Sequence, residues 1–204
     1  MPFSGVILAG GRGSRLGIDK AQVEIGGEPL LERVVRSLSQ VTDEIIVVVA
    51  DLAKGHPKLA ANNIRFVGDL FLGSGSLGGI YTGLSAATHY HSMVVACDMP
   101  FLNLALLQYL RSRATEADVV VPRLGPVLEP LHAVYSKKCL PAIAELLRRR
   151  QLRIIDFFAS VQVSYVEADE VDRFDPQRLS FFNINTPENL AYARSLVLAR
   201  NEGS

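Results

Sequence analysis

At 204 residues, 49% of them hydrophobic, the chain is long enough for one α/β domain that buries roughly 70% of the surface its unfolded form exposes. Lysine plus arginine and aspartate plus glutamate both number 21, so no net charge draws in nucleic acid or a membrane surface, and any anion site must be local. Two distant cysteines, no signal-peptide core and no apolar run near ~18 residues exclude a disulfide scaffold and a membrane span, and point to a reduced, cytoplasmic setting.

In chain order, short apolar runs predict strands near 4–9, 44–50, 64–67, 93–97, 118–122, 131–135, 162–167 and 180–184. Between them, amphipathic stretches predict helices near 28–40, 77–89, 103–114, 138–149 and 187–200. The alternation is a βαβ pattern. The continuous β-formers 45–49 and 93–97 read as central strands with helices over both faces, giving a three-layer α/β fold with a mostly parallel sheet. Thr186-Pro187-Glu188 is a helix start, with Thr as N-cap and Pro at the first helical position.

The first strand runs through Leu8-Ala9 into Gly10-Gly11-Arg12-Gly13-Ser14-Arg15, and Asp19-Lys20 follows. Glycines lack a Cβ and take positive φ, so their N–H groups can turn toward an anion, while Arg12, Arg15 and Lys20 supply mobile positive charge. No stretch fits G-x-x-x-x-G-K-[ST], so this phosphate cradle is not a Walker loop. Lys20 is placed to bridge phosphate oxygens as charge redistributes during transfer.

Asp98 follows the apolar run 93–96 and belongs at the carboxyl end of a buried strand, where one carboxylate suffices for Mg²⁺ once phosphates and waters complete its shell. Its neighbour Cys97 reads as a small buried hydrophobe. Gly73-Ser74-Gly75-Ser76-Leu77-Gly78 matches G-x-G-x-x-G, but it trails its strand by five residues and does not open the first βα unit, so it is not a dinucleotide fingerprint. Asn183 and Asn185, two apart on the expected last strand, project to one side, where paired amides suit a phosphate or another polar ligand. Arg148, Arg149 and Arg150 suit the negative end of their helix dipole, and His89-x-His91 lacks the companions a zinc site needs.

Leu8-Ala9-Gly10-Gly11-x-x-x-Arg15-x-Gly17-x-Asp19-Lys20 resembles the N-terminal signature of nucleotidyltransferases that activate small molecules, and in detail the molybdenum cofactor guanylyltransferase family. Five further segments resemble that family in the same order: Gly75 to Gly79, Asp69 ahead of it, Cys97-Asp98-Met99-Pro100, Glu129-Pro130-Leu131-His132-Ala133, and Phe181 to Leu190. The resemblance implies a Rossmann-like nucleotidyltransferase fold in one domain, 1–204, with 1–100 mainly binding nucleotide and 101–200 mainly binding the acceptor. It implies transfer of GMP from GTP to the terminal phosphate of Mo-molybdopterin, with Mg²⁺, release of pyrophosphate, and molybdoenzyme-specific chaperones as further partners.

Carried over by position, the catalytic residues are Lys20, Asp98 and Arg15, with Asp98 the metal ligand. The nucleotide would meet Leu8, Ala9, Gly10, Gly11, Arg12, Gly13, Lys20, Asp51, Asp69, Gly75, Leu77, Gly79 and Asp98, and Asn183 and Asn185 would complete the binding set. The chain departs from the family in three places: Asp51 stands for an asparagine that faces guanine, Glu129 for a histidine, and Gly75 to Gly79 lacks the family's proline and alanine. A carboxylate still accepts from guanine N1–H and N2–H. A cytidylyltransferase acting on the pterin or a sugar-alcohol phosphate, and a non-catalytic nucleotide- or pterin-binding adaptor, remain as alternatives.

Overall fold

The computed structural model describes residues 1–10, 23–54, 59 and 63–202. Gly11, Arg12, Gly13, Arg15 and Lys20 lie outside the described residues.

In chain order the elements are β1 (Ser4–Leu8), β2 (Glu24–Ile25), β3 (Glu28–Pro29), α1 (Leu30–Leu38), β4 (Glu44–Val49), β5 (Ile64–Gly68), α2 (Gly75–Ala86) and β6 (His91–Ala96). They continue with α3 (Leu104–Ser112), β7 (Val119–Leu124), β8 (Val127–Leu128), β9 (His132–Ser136), α4 (Cys139–Arg148), β10 (Val163–Glu167), α5 (Ala168–Asp172) and α6 (Pro187–Glu202). Short 3₁₀ turns cover Leu52–Lys54, Ile154–Ser160 and Leu179–Phe181.

The main sheet runs β10-β7-β9-β6-β1-β4-β5, with β8 hydrogen-bonded to β7. β1 lies parallel to β4 and β6, β4 to β5, and β7 to β10; β9 alone runs against both its neighbours. Gly125, at φ +63°, opens the two-residue turn from β7 to β8, and that reversal sends β9 back down the sheet.

Side chains alternate across the sheet as the pleat demands. Ile7, Ile45, Val47, Met93 and Val95 meet α1 and α3 on one face. Val6, Ile46, Val48 and Val94 meet α2 and α4 on the other. Helix α2 sits unusually close to β1: a Cβ on Gly83 would lie 2.3 Å from Val6 Cγ1, and one on Gly79 would lie 3.1 Å from Leu8 Cδ2. A third, smaller cluster unites Val23, Ile25, Leu30, Phe101, Ile184, Ala193 and Val197.

Two sequence expectations fail. The helix predicted from residue 28 starts at Leu30, because Glu28 and Pro29 pair antiparallel with Glu24 and Ile25 around Gly26 (φ +61°) and Gly27 (φ +78°). The strand predicted over 180–184 does not form. Asp175 accepts the N–H groups of Leu179 (3.2 Å) and Ser180 (2.8 Å), which winds residues 179–181 into a turn, and β6 and β9 already occupy each other's edges. The expected start of α6 does form: Thr186 Oγ1 accepts from Asn189 N at 3.2 Å, and Asn189 Oδ1 accepts from Thr186 N at 3.2 Å, a reciprocal cap ahead of Pro187.

At the end of the sheet away from the strand carboxyl termini, Glu44 collects Ser4 Oγ (2.6 Å), Thr88 N (2.6 Å), Thr88 Oγ1 (3.1 Å) and Arg65 (3.2 Å). Burial alone would raise its pKa, but these donors together hold it at about 2, against 4.5 for a free glutamate. A depressed folded-state pKa stabilises the native state above pH 4.5, and that contribution is lost as pH falls from 4.5 toward about 2. Glu44→Gln should therefore lower stability at neutral pH and flatten its decline across this acid window, read by denaturant titration at stepped pH. Gly83→Ala should cost about 1–3 kcal/mol by overpacking, and a cycle with Val6→Ala should show the pair costing less than the sum.

Candidate active site

Four parallel strands, β5, β4, β1 and β6 in spatial order, end together, and the ladder continues one residue past β1, β6 and β5. Ala9 N donates to Val48 O (2.8 Å), Cys97 N to Leu8 O (3.1 Å) and Asp69 N to Val49 O (2.8 Å). These bonds set Asp69, Asp51, Gly10 and Asp98 along one edge, the place where open parallel sheets bind ligands. Gly10 lies tight against β4, where a Cβ would sit 3.0 Å from Ala50 N and 3.3 Å from Val49 C and would press the neighbouring backbone aside by a few tenths of an ångström.

Asp51 is exposed just past β4, and its Oδ1 accepts the Ala53 N–H at 2.9 Å, which fixes the carboxylate and opens the turn Leu52–Lys54. Asp69 is held harder: its Oδ1 takes both Thr82 Oγ1 (3.0 Å) and Phe71 N (3.0 Å), tying the end of β5 to the middle of α2. Gly73 and Gly75 turn the chain into α2 at φ +84° and +60°, and Gly75 is exposed. Leu77 and Gly79 differ from it. The Leu77 side chain is fully buried in the core, and Gly79 faces Leu8, so neither presents a side chain to a nucleotide; any contact there is through backbone.

Asp98 sits half-buried two residues beyond β6, in a turn closed by Met99 N to Ala96 O at 3.3 Å. Its carbonyl accepts the N–H of Ile184 at 3.0 Å. The segment carrying Asn183 and Asn185 is thus strapped to the Asp98 turn, although the two amides do not flank a strand. Asn183 Nδ2 donates to Phe181 O (2.9 Å), and Asn185 N donates to Asn189 Oδ1 (3.2 Å). Cys97 is buried in the core, as its neighbours' alternation implies.

On the side of β9, Glu129 is half-buried, and desolvation raises its pKa. His132 is fully buried, with neither ring nitrogen hydrogen-bonded among the described residues and its edge on Phe181 at a centroid distance of 5.0 Å. Burial pushes its pKa down to about 4 against the pull of Asp175, so it stays neutral and is a core side chain rather than an anion ligand. Arg148 and Arg149 both pair with Glu145 on α4, consistent with solvated residues at a helix end.

Of the described part of the predicted set, Leu8 to Gly10, Asp51, Asp69 and Asp98 therefore share the strand-end edge, Asn183 and Asn185 flank Ile184, which bonds to Asp98, and Gly75 stands in the turn into α2. Sequence reasoning missed Thr82, which orients Asp69 from 13 residues away, and Ile184, whose contribution is a backbone N–H that no motif encodes. Among the described residues no cluster of three or more His, Cys, Asp or Glu could hold a metal unaided. One carboxylate, Asp98, beside the end of β1 fits Mg²⁺, a hard cation that takes oxygen donors and few protein ligands.

Comparison with known proteins gives one family. Residues 5–163 match the MobA-like NTP transferase domain. A protein of Pelotomaculum thermopropionicum named "Probable molybdenum cofactor guanylyltransferase" is 41% identical over 198 residues, covering 97% of this chain and 94% of that one. A molybdenum cofactor guanylyltransferase of Desulfosudis oleivorans is 34% identical, covering 96% of each. Among solved structures, molybdopterin-guanine dinucleotide biosynthesis protein A from Archaeoglobus fulgidus superposes with a TM-score of 0.83 at 27% identity, covering 96% of this chain and 99% of that one. A Gly-rich strand end, a carboxylate edge and relatives matched along nearly their whole length agree, and the chain belongs to the MobA-like nucleotidyltransferases, among the molybdenum cofactor guanylyltransferases.

Proposed function

We propose that this enzyme transfers GMP from GTP to the terminal phosphate of Mo-molybdopterin, forming molybdopterin guanine dinucleotide and releasing pyrophosphate. The observation that carries the reading is the shared edge of Gly10, Asp51, Asp69 and Asp98 at the ends of parallel strands, in a chain of this family. A phosphate oxygen of the acceptor attacks the α-phosphorus, the bond to the β-phosphate oxygen breaks, and its electron pair leaves with pyrophosphate. The acceptor phosphate is already anionic at neutral pH, so the chain need not supply a general base. That suits a buried, neutral His132 and leaves the protein with positioning and charge stabilisation.

Asp98 would hold Mg²⁺, which when bound neutralises charge developing on the phosphates. Gly10 opens the strand end to the phosphates, and Gly11 to Gly13 with Arg12, Arg15 and Lys20, known here by sequence, would cradle them. Asp51 would accept from guanine N1–H and N2–H, its orientation fixed by Ala53 N. Asp69, locked by Thr82, would border the nucleoside, and Asn183 and Asn185 would face the acceptor. In this reading residues 1–204 act as one domain, 1–100 mainly for the nucleotide and 101–200 mainly for the acceptor. Among the described residues no helix is long and apolar enough to cross a membrane. A cytoplasmic setting and delivery of the product to chaperones of molybdoenzymes complete the proposal.

The base is tested by thermal shift with Mg²⁺ and GTP, CTP, ATP or UTP. A ligand at 100 times its Kd adds about 2.7 kcal/mol of stability, a readable shift. Selective stabilisation by GTP supports the guanylyltransferase; preference for CTP, or for none, overturns it. Asp51→Ala should lose about tenfold or more of the preference for GTP, since guanine's donors are left unpaired. Asp98→Asn should fold with an unchanged Tm yet lose about 100-fold or more in rate. If Asp98→Asn still restored cofactor maturation in cells lacking their own enzyme, the adaptor reading would replace catalysis.

A further inference from the structure

The third hydrophobic cluster joins parts of the chain that are distant in sequence and meet beside the strand ends. Val23 and Ile25 follow directly on the stretch 11–22, Phe101 lies three residues past Asp98, and Ile184, Ala193 and Val197 come from the C-terminal segment. Further ties run the same way. The Arg194 guanidinium donates to Glu24 O at 3.4 Å and that of Arg33 to Ile25 O at 3.4 Å, while a Cβ on Gly26 would lie 2.6 Å from Val197 Cγ1. The Phe182 ring reaches Phe101 at 6.1 Å and Tyr192 at 5.5 Å.

Ile184 is where these ties converge. Its side chain is fully buried among Val23, Ile25 and Phe101, and its N–H holds the Asp98 carbonyl at 3.0 Å. The Asp98 turn has left the sheet, so its backbone is steadied by Met99 N to Ala96 O (3.3 Å) and by Ile184. We infer that Ile184 is a positioning residue that couples Val23, Ile25 and the C-terminal helix to the Asp98 turn, so that this helix sets the geometry in which the divalent cation is held. The inference rests on the reading of Asp98 as the metal ligand. A displacement of 1 Å in such a group is costly, and coupling of this kind is reciprocal: what the C-terminal segment does for binding, binding does for the C-terminal segment.

The test uses the full chain with Mg²⁺ and a non-hydrolysable GTP analogue. Ile184→Ala is compared with Ile143→Ala, an equal truncation at a fully buried position in the separate cluster beneath α2 and α4, and with the conservative Ile184→Val. Calorimetric titration should show Ile184→Ala raising the Kd for Mg²⁺ about tenfold, with Ile184→Val near wild type and Ile143→Ala unchanged despite a similar fall in Tm. In the unmutated protein, Mg²⁺ with the analogue should slow hydrogen exchange at the Ile184 amide and in the first turns of α6, and not in α4. Equal Kd values for Ile184→Ala and Ile143→Ala overturn the inference. So does unchanged exchange at Ile184 on ligand binding, which decides the matter even if Ile184→Ala fails to fold. If Asp98→Asn leaves the Kd for Mg²⁺ unchanged, the reading of Asp98 itself falls; if Asp98→Asn abolishes Mg²⁺ binding while Ile184→Ala behaves as Ile143→Ala, only the coupling falls.

Discussion

Everything in this molecule depends on β1 being held between two parallel neighbours. Leu8 pairs with Val48 on one side and Ala96 on the other, so three strand ends are levelled within a residue of each other. Gly10, Asp51 and Asp98 inherit their relative positions from that register. Both faces of β1 are closed, by α1 on one side and on the other by an α2 seated so near that Gly79 and Gly83 cannot carry side chains without displacing Leu8 and Val6. A strand packed this tightly transmits little motion to its end, which is what a site built on alignment of two anions requires.

The frame was largely legible in the sequence because buried parallel strands are continuous apolar runs, and β1, β4 and β6 are of that kind. Asp98 was legible for the same reason, since a carboxylate directly after such a run falls at the carboxyl edge. The direction of β9 was not legible, because an apolar run has no sign; only the turn at Gly125 carries it. Residues 180–184 misled because two aromatic residues and an isoleucine look like a strand, whereas their side chains serve His132, Phe101 and the third cluster across the ends of the sheet.

Within the proposed site, the limits of sequence reasoning follow from which atoms would act. Asp51 and Asp69 would act through carboxylates that residue identity specifies, and both stand at the shared edge. Leu77 and Gly79 match a motif by letter, yet their identities are explained by packing against the core and against Leu8. Thr82 and Ile184 match no motif, because one orients a carboxylate from the middle of a helix and the other donates a main-chain hydrogen to Asp98. Local pattern finds side chains that meet a ligand more readily than the groups that hold them still.

The carboxylates at the strand ends also carry an electrostatic meaning. In a chain of zero net charge, Asp51, Asp69 and Asp98 place acid on the sheet edge, while Arg12, Arg15 and Lys20 follow β1 in the sequence. A bare triphosphate docking at this edge would be repelled by the three carboxylates, whereas one bearing its own divalent counter-ion would meet less opposition. On the proposed function, the row of aspartates would favour the cation-bearing form of the incoming nucleotide, a preference that added salt would screen over about 8 Å at physiological ionic strength.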